Sequence, residues 1–125
     1  MSKYFINMTN HDAHMWSNDQ KEAATNYGEI INVGFPKINP HDSSARVAAR
    51  ATNITKEIIK KYGKNIIVLV QGEMNFTYAV VNLFKKEGVT CLAATSERKV
   101  IETTQPDGNT KKTSVFQFVK FREYL

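Results

Sequence analysis

One pattern occurs three times in the sequence: an apolar run, a helix-capping residue, an amphipathic helical stretch, and a Gly before the next apolar run. This pattern is typical of successive β-α-β units, in which helices join the strands of one parallel sheet. The third apolar run, Ile66 to Val70, is continuous rather than alternating. A strand of this kind is buried on both faces, as in the centre of a parallel sheet. The sequence therefore predicts an α/β fold.

Capping residues and glycines mark the ends of the predicted helices. Ser17 is followed three residues later by Gln20, which is the spacing of a capping box, so it opens the first helix. The second helix begins near Asp42 or Ser43 and ends at Gly63. Apolar residues recur within it at steps of three and four, as on one buried helical face.

The C-terminal part changes to a period of two. Residues 100–104 and 113–121 alternate between apolar and polar side chains, and the turn-forming residues 105–109 separate them, which predicts a β-hairpin. The complete prediction is a Rossmann-like, three-layer domain of four helix-linked strands with a C-terminal hairpin. A chain of 125 residues has room for one such core, so residues 1–125 form one domain. The strands are predicted at residues 4–8, 30–35, 66–70 and 89–94.

The charge of the chain is unevenly distributed. The formal net charge is +5, and residues 56–125 carry the whole excess, with twelve Lys or Arg against seven Asp or Glu. A basic half favours an anionic partner such as a nucleotide, a phosphate or a nucleic acid, although from charge alone a solvated Lys-rich surface is the better explanation.

Cysteine content and hydropathy indicate the cellular compartment in which the protein is expected. Cys91 is the one cysteine and lies in an apolar run, so no intramolecular disulfide and no cysteine zinc site is expected. A reducing cytoplasm is the expected location. No stretch of about 18 apolar residues occurs, which predicts that the chain neither spans a membrane nor is exported.

Polar residues gather after the predicted strands. Ligands of open parallel sheets bind at the carboxyl ends of the strands, near the point where the strand order reverses. The helix-to-strand connections hold mainly Gly and Lys instead, so the asymmetry predicts a ligand site at the carboxyl edge. The candidates are Thr9, Asn10, His11, Asp12, His14 and Trp16 after the first strand, Gln71, Gly72, Glu73, Asn75 and Thr77 after the third, and Thr95, Ser96, Glu97 and Arg98 after the fourth.

Each of these candidates also has a structural interpretation. Gly72 precedes a helix start that suits a phosphate, but Glu73 either repels an anion there or simply stabilises the first helical turn. Neither a P-loop nor a dinucleotide-binding glycine motif is present. His11 and His14 lack a clear third metal ligand, so we expect proton transfer or binding by His11 and no metal. Trp16 either packs before the helix or stacks on a base.

The tetrad from Thr95 to Arg98 suits a phosphodiester. Two hydroxyls and a guanidinium that leave a buried strand together can hold one, since Arg binds phosphate through two hydrogen bonds. Alternatively, Thr95 and Ser96 only turn the chain, while Arg98 pairs with Glu97 or Glu102. The G-x-S-x-G turn of serine hydrolases is missing, which disfavours a catalytic triad.

The layout resembles the CRISPR-associated Rossmann-fold (CARF) domains and the small ring-nuclease-type proteins of type III CRISPR systems. The resemblance covers nearly the whole chain. It is carried by Met8-Thr9-Asn10-His11, Val70-Gln71-Gly72-Glu73, Ala93-Ala94-Thr95-Ser96-Glu97-Arg98 and Phe118-Val119-Lys120-Phe121-Arg122-Glu123-Tyr124.

The resemblance implies a homodimer that binds a cyclic oligoadenylate and degrades it to linear products without a metal or other cofactor. A ribose 2′-hydroxyl attacks the adjacent phosphate and leaves a cyclic phosphate end. Among the catalytic residues, His11 would move protons and Arg98 would stabilise the phosphate, with Ser96 and Glu73 beside them. The ligand contacts implied are Asn10, Thr9, Trp16, Gln71, Gly72, Thr77 and Thr95.

Two other functions stay open. A non-catalytic sensor or sponge would use the same pocket without cleaving the ligand. A basic nucleic-acid-binding module would use the Lys-rich half and bind with a steep salt dependence. No stable binding to duplex nucleic acid is expected, because the basic residues form no strong stripe.

Overall fold

The computed structural model describes residues 2–125, so Met1, the first residue of the predicted domain, lies outside the described residues. The chain alternates strands and helices up to its fourth strand and closes with a fifth strand. The elements are β1 (Tyr4–Thr9), a single 3₁₀ turn (Ala13–Met15), α1 (Asn18–Thr25), β2 (Glu29–Asn32), α2 (Ser44–Tyr62), β3 (Ile66–Gln71), α3 (Met74–Lys86), β4 (Thr90–Thr104) and β5 (Thr110–Glu123).

The five strands form one sheet in the order β2-β1-β3-β4-β5. Neighbouring strands from β2 to β4 are parallel, and β5 is antiparallel to β4. The prediction of an α/β fold with a mostly parallel sheet and a C-terminal antiparallel pair is confirmed. The chain leaves β1 toward one edge of the sheet and β3 toward the other, so the strand order reverses between these two central strands.

The helices pack on opposite faces of the sheet. On one face, α2 and α3 cover β-strand residues such as Ile6, Met8 and Val68. On the other face, α1 contributes Ala24 to a smaller cluster that includes Phe5. Alternation along each strand therefore sends every second side chain to each face, and α1 covers the face on which the polar side chains described below lie.

The predicted helix starts are confirmed by their capping bonds. The Ser17 hydroxyl accepts a hydrogen bond from the backbone N–H of Gln20 at 3.3 Å, and the Ser43 hydroxyl accepts one from Arg46 at 3.2 Å. Gly63 ends α2 with φ +77°, a left-handed conformation that favours glycine.

Two predicted boundaries are wrong. The second strand ends at Asn32 instead of continuing to Phe35, because the N–H groups of Val33 and Gly34 both donate to the Asn7 carbonyl at 3.0 Å and turn the chain away. The fourth strand does not stop at Ala94. It continues through residues 95–98, which are extended backbone rather than a turn, because β5 pairs with them along their whole length.

The distal part of the hairpin projects beyond the other strands, and we call residues 97–117 the arm. Strand β3 pairs with β4 only as far as Leu92, whereas β5 follows β4 to its end. A bulge lies between Thr95 and Ser96 at the base of the arm. The arm carries exposed apolar side chains, among them Phe116 at 74% and Val100 at 56%.

The root of β4 is buried, in contrast to the arm. Cys91 lies in the core beneath α3, and burial raises the pKa of its thiol to about 12. Among the helices of residues 2–125, none is long and apolar enough to cross a membrane.

Candidate functional site

A groove with a volume of about 940 Å³ opens at the carboxyl ends of β1 and β3. One wall is the segment between β1 and α1, and the other wall is the base of the arm. Most of the residues that the sequence predicted as ligand contacts lie in it: Thr9, Asn10, His11, Trp16, Gln71, Gly72, Thr95 and Ser96. The groove also lies at the reversal of strand order, where open parallel sheets bind ligands.

The groove is lined by neutral groups except at one position. Of the described residues that form its walls, His11 is the one with a titratable side chain, and neither a carboxylate nor a Lys or Arg is among them. The other lining side chains are hydroxyls, amides, aliphatic groups and aromatic rings. An anion therefore meets no repelling carboxylate there, and proton transfer by the walls falls to His11.

The His11 backbone is held firmly while its imidazole is exposed. Its carbonyl accepts hydrogen bonds from the Asn7 side-chain amide at 2.9 Å and from the Trp16 indole at 3.2 Å. Its N–H donates to the Thr9 hydroxyl at 3.3 Å. The ring can consequently meet a ligand without any rearrangement of the chain that carries it.

Trp16 is mainly a packing residue. It is 8% exposed, and its ring centroid lies 6.2 Å from that of Phe5 and 6.5 Å from that of Phe121. Only an edge of the indole can border the groove. The aromatic side chains that are open to a base are instead Phe116 and Phe118 on the arm side.

Gln71 bridges the fork where β3 and β4 separate. Its side-chain oxygen accepts from the Ala94 N–H at 2.9 Å and its NH₂ donates to the Ala94 carbonyl at 3.2 Å. The side chain thus replaces one step of the backbone ladder. The neighbouring Gly72 lies against the Phe35 ring, and a Cβ there would come within 2.4 Å of a ring carbon. Close packing, rather than flexibility alone, requires glycine at this position.

Glu73 and Thr77 lie outside the groove. The Glu73 carboxylate caps α3 by accepting from Phe76 N–H at 2.8 Å and Asn75 N–H at 3.1 Å. It occupies the amides that a phosphate would need at this helix start. Thr77 lies one turn into α3, and its buried hydroxyl has no hydrogen-bond partner within residues 2–125.

The four residues of the predicted phosphate-binding tetrad do not share one site, because only the first two line the groove. Thr95 and Ser96 line the groove, and the Thr95 hydroxyl donates to the Lys120 carbonyl at 3.0 Å. Arg98 lies on the arm, and its guanidinium donates to the Ser114 hydroxyl at 3.1 and 2.9 Å. It is cross-strand from the groove-lining Phe116.

Asp12 and His14 form a local pair away from the groove walls. Asp12 caps the 3₁₀ turn, and its carboxylate lies 2.5 Å from the His14 ring nitrogen Nδ1. Hydrogen bonds from the His14 backbone and then its side chain lower the pKa of Asp12. In the part of the chain that the structure describes, no three His, Cys, Asp or Glu side chains cluster as metal ligands would.

Sequence reasoning missed two asparagines and the groove's aromatic side chains. Asn7 interrupts an apolar strand and Asn32 ends β2, and the two are direct cross-strand partners. A polar residue at a core position was the available signal. The sequence pattern identifies Phe116 and Phe118 only as apolar positions of the hairpin. Their position at the groove depends on where the hairpin lies relative to the sheet, which is a tertiary feature.

One family model matches most of the chain. The family model described as Uncharacterized protein MJ1673 family matches residues 3–122. No curated protein and no solved structure matches the chain at a significant level.

Proposed function

The chain belongs to the Uncharacterized protein MJ1673 family, and we propose that it is a ring nuclease that opens cyclic oligoadenylates. One observation carries this: His11 is the titratable side chain in a groove otherwise lined by neutral polar and aromatic groups. Such walls suit a nucleotide ligand, whose bases stack and whose phosphodiesters repel carboxylates. Ser17, the N-cap of α1, and Gln20 in its first turn border the groove, so the positive end of the helix dipole lies there.

The proposed step is attack within the ligand. A ribose 2′-oxygen bonds to the adjacent phosphorus while the bond from phosphorus to the 5′-oxygen breaks. His11 takes the proton from the 2′-hydroxyl and then gives it to the departing 5′-oxygen. The products are a 2′,3′-cyclic phosphate end and a 5′-hydroxyl end, with no water or metal consumed. The groove contributes alignment of these atoms, which is a large part of such catalysis.

Ser96 and Asn10 are the proposed contacts to the phosphate and to a ribose or adenine. Both are exposed and line the groove. Arg98 is proposed to turn from Ser114 toward the phosphate, since it is cross-strand from Phe116 at the groove wall. Glu73 and Thr77 take no part, because neither is among the residues that line the groove.

We further propose a Rossmann-like core that acts as a cytoplasmic homodimer. The strand-order reversal between β1 and β3 supports the first part. The exposed area supports the second: the chain exposes 8452 Å², whereas a compact monomer of this mass exposes roughly 6,800 Å². The excess is about twice the roughly 800 Å² that each partner buries in a standard-size interface, and the arm provides exposed apolar side chains for it.

The test is incubation of the purified protein with cyclic tri-, tetra- and hexa-adenylate, with and without EDTA, followed by chromatography of the products. Linear products with a cyclic phosphate end that persist in EDTA are expected. His11→Gln, which keeps a polar side chain of similar reach, should bind without cleaving. If the wild-type protein neither binds nor cleaves any of the three rings, the proposed function is wrong.

The lack of a cationic side chain in the described groove walls favours a second function. No Lys or Arg is among the described residues of the groove walls, although phosphodiester cleavage gains from a positive group at the phosphate. A non-catalytic sensor or sponge needs no such group. Intact ligand that stays bound to the wild-type protein through prolonged incubation would establish this second function instead.

A further inference from the structure

Two asparagine side chains, buried Asn7 and exposed Asn32, connect the sheet to the His11 segment. Asn7 is 1% exposed, and its NH₂ donates to the His11 carbonyl and to the Asn32 side-chain oxygen, each at 2.9 Å. That same Asn32 oxygen accepts from the Ala13 N–H at 3.0 Å. The Asn7 oxygen accepts from the Thr9 hydroxyl at 2.8 Å. Backbone groups on both sides of Asp12 are thus tied to side chains of β1 and β2.

The connection has no obvious value for packing alone. An apolar residue at the buried position of Asn7 would bury as much area without the desolvation cost of an amide. Residues 10–12 belong to no helix or strand, so the ladder hydrogen bonds of the sheet do not hold them. The side-chain bonds replace those missing ladder bonds at the residue whose ring faces the groove.

We propose that Asn7 and Asn32 are positioning residues that fix the His11 imidazole for proton transfer. This rests on the proposed function, since it assigns the two amides a role in that same reaction. Asn7 sets the carbonyl of His11, and Asn32 sets Asn7 and the start of the 3₁₀ turn. Misplacing a reacting group by about 1 Å can cost as much as a hundredfold in rate, so loss of either link should affect the rate more than ligand binding.

Asn32 allows a matched pair of variants. It is an exposed residue, and only its oxygen is engaged, as an acceptor. Asn32→Asp keeps that acceptor, whereas Asn32→Leu removes it at similar size. Both variants should fold, unlike Asn7→Asp, which would bury a carboxylate against the His11 carbonyl.

The experiment measures single-turnover cleavage of cyclic tetra-adenylate, and the dissociation constant of each variant in a His11→Gln background. Asn32→Leu should lower the rate by about tenfold or more and change the dissociation constant by less than about twofold, while Asn32→Asp should keep at least about a third of the wild-type rate. A rate for Asn32→Leu close to wild type, or an equal loss in binding and rate, would overturn the positioning role.

Amide hydrogen exchange separates this inference from failure of the proposed function. If the wild-type protein neither binds nor cleaves the ring, the nuclease function is wrong, and exchange at His11 and Ala13 then decides the positioning. Faster exchange in Asn32→Leu but not in Asn32→Asp supports it. Equal exchange in the two variants contradicts it.

Discussion

The two walls of the groove are built in opposite ways. The segment from Thr9 to Trp16 has little regular structure, yet buried side chains of the sheet hold its backbone. The arm consists of two paired strands joined by a turn, yet in the described residues it pairs with no third strand and it exposes apolar side chains. Regular secondary structure and rigidity are therefore separate properties here. A catalytic group belongs on the first wall, and contacts that adapt to a ligand or partner belong on the second.

The largest effect should come from the rigid wall. His11→Ala is expected to lower cleavage of cyclic tetra-adenylate by about a thousandfold, because general acid-base groups contribute about 10² to 10⁴. Phe116→Ala on the arm should act mainly on the dissociation constant. Single-turnover rates and equilibrium binding of both variants provide the measurement. Similar losses in rate for the two would remove the functional difference between the walls.

The two ends of β4 should differ in thiol reactivity, because the raised pKa leaves Cys91 about a thousandfold less thiolate than an ordinary cysteine has. Cys91 is buried and its pKa is raised to about 12, so little reactive thiolate forms in the folded protein. A cysteine at the exposed arm position Val100, introduced as Val100→Cys, should react with iodoacetamide readily. Mass spectrometry after timed quenching measures both sites in one protein. Equal rates at the two sites would show that the root of β4 opens as often as the arm.

Stability should distinguish two phenylalanines of β5. Phe121 packs on Phe5, with ring centroids 5.1 Å apart, and on Trp16 and Tyr27. Phe121→Ala is expected to lower the free energy of unfolding by about 3 kcal/mol. Phe116 is 74% exposed, and Phe116→Ala should change it by less than about 0.5 kcal/mol. Urea denaturation compares the two, and a large loss for Phe116→Ala would place the arm within the cooperative core.

The smallest effect is a pH dependence at the root of β4. Burial raises the pKa of Cys91 from 9.0 to about 12, so above pH 9 the unfolded chain loses this proton and the folded chain keeps it. Stability from this group is complete below pH 9 and declines as the pH rises toward 12, by about 1 kcal/mol at pH 10. Denaturation at pH 8 and pH 10 in wild type and Cys91→Ala measures it. An equal decline in both proteins would assign it to other groups.

Local signals predicted most of the sheet and helices. The capping spacing at Ser17 and the continuous run from Ile66 to Val70 both depend on short-range chemistry, so they were readable from the sequence. The extension of β4 through Thr95 to Arg98 was not, because those polar residues resemble a loop until β5 pairs with them. The same pairing moved Arg98 out of the predicted phosphate site and onto the arm.

The sequence predicted which edge of the sheet holds the candidate site, but not which contacts its side chains make. The rule for strand ends indicated Thr9, His11 and Gln71, which do line the groove. It could not show that Gln71 is committed to Ala94 or that Glu73 caps its own helix, because both roles depend on atoms whose positions only the fold sets. The sequence did not predict the Asn7–Asn32 hydrogen bond for the same reason, since the two residues are 25 positions apart in the chain.

The bulge between Thr95 and Ser96 is a point about which the arm can rotate as a unit. From Glu97 to Thr104 the strand extends about 27 Å, and bulges locally bend a strand. A rotation of about 10° at this pivot would carry the tip about 5 Å, yet move Ser96 by only a small fraction of that distance. The Gln71 bridge to Ala94 lies on the sheet side of the pivot and anchors the fixed end. The tip can therefore move toward a partner while Ser96 and the sheet side of the groove stay in place.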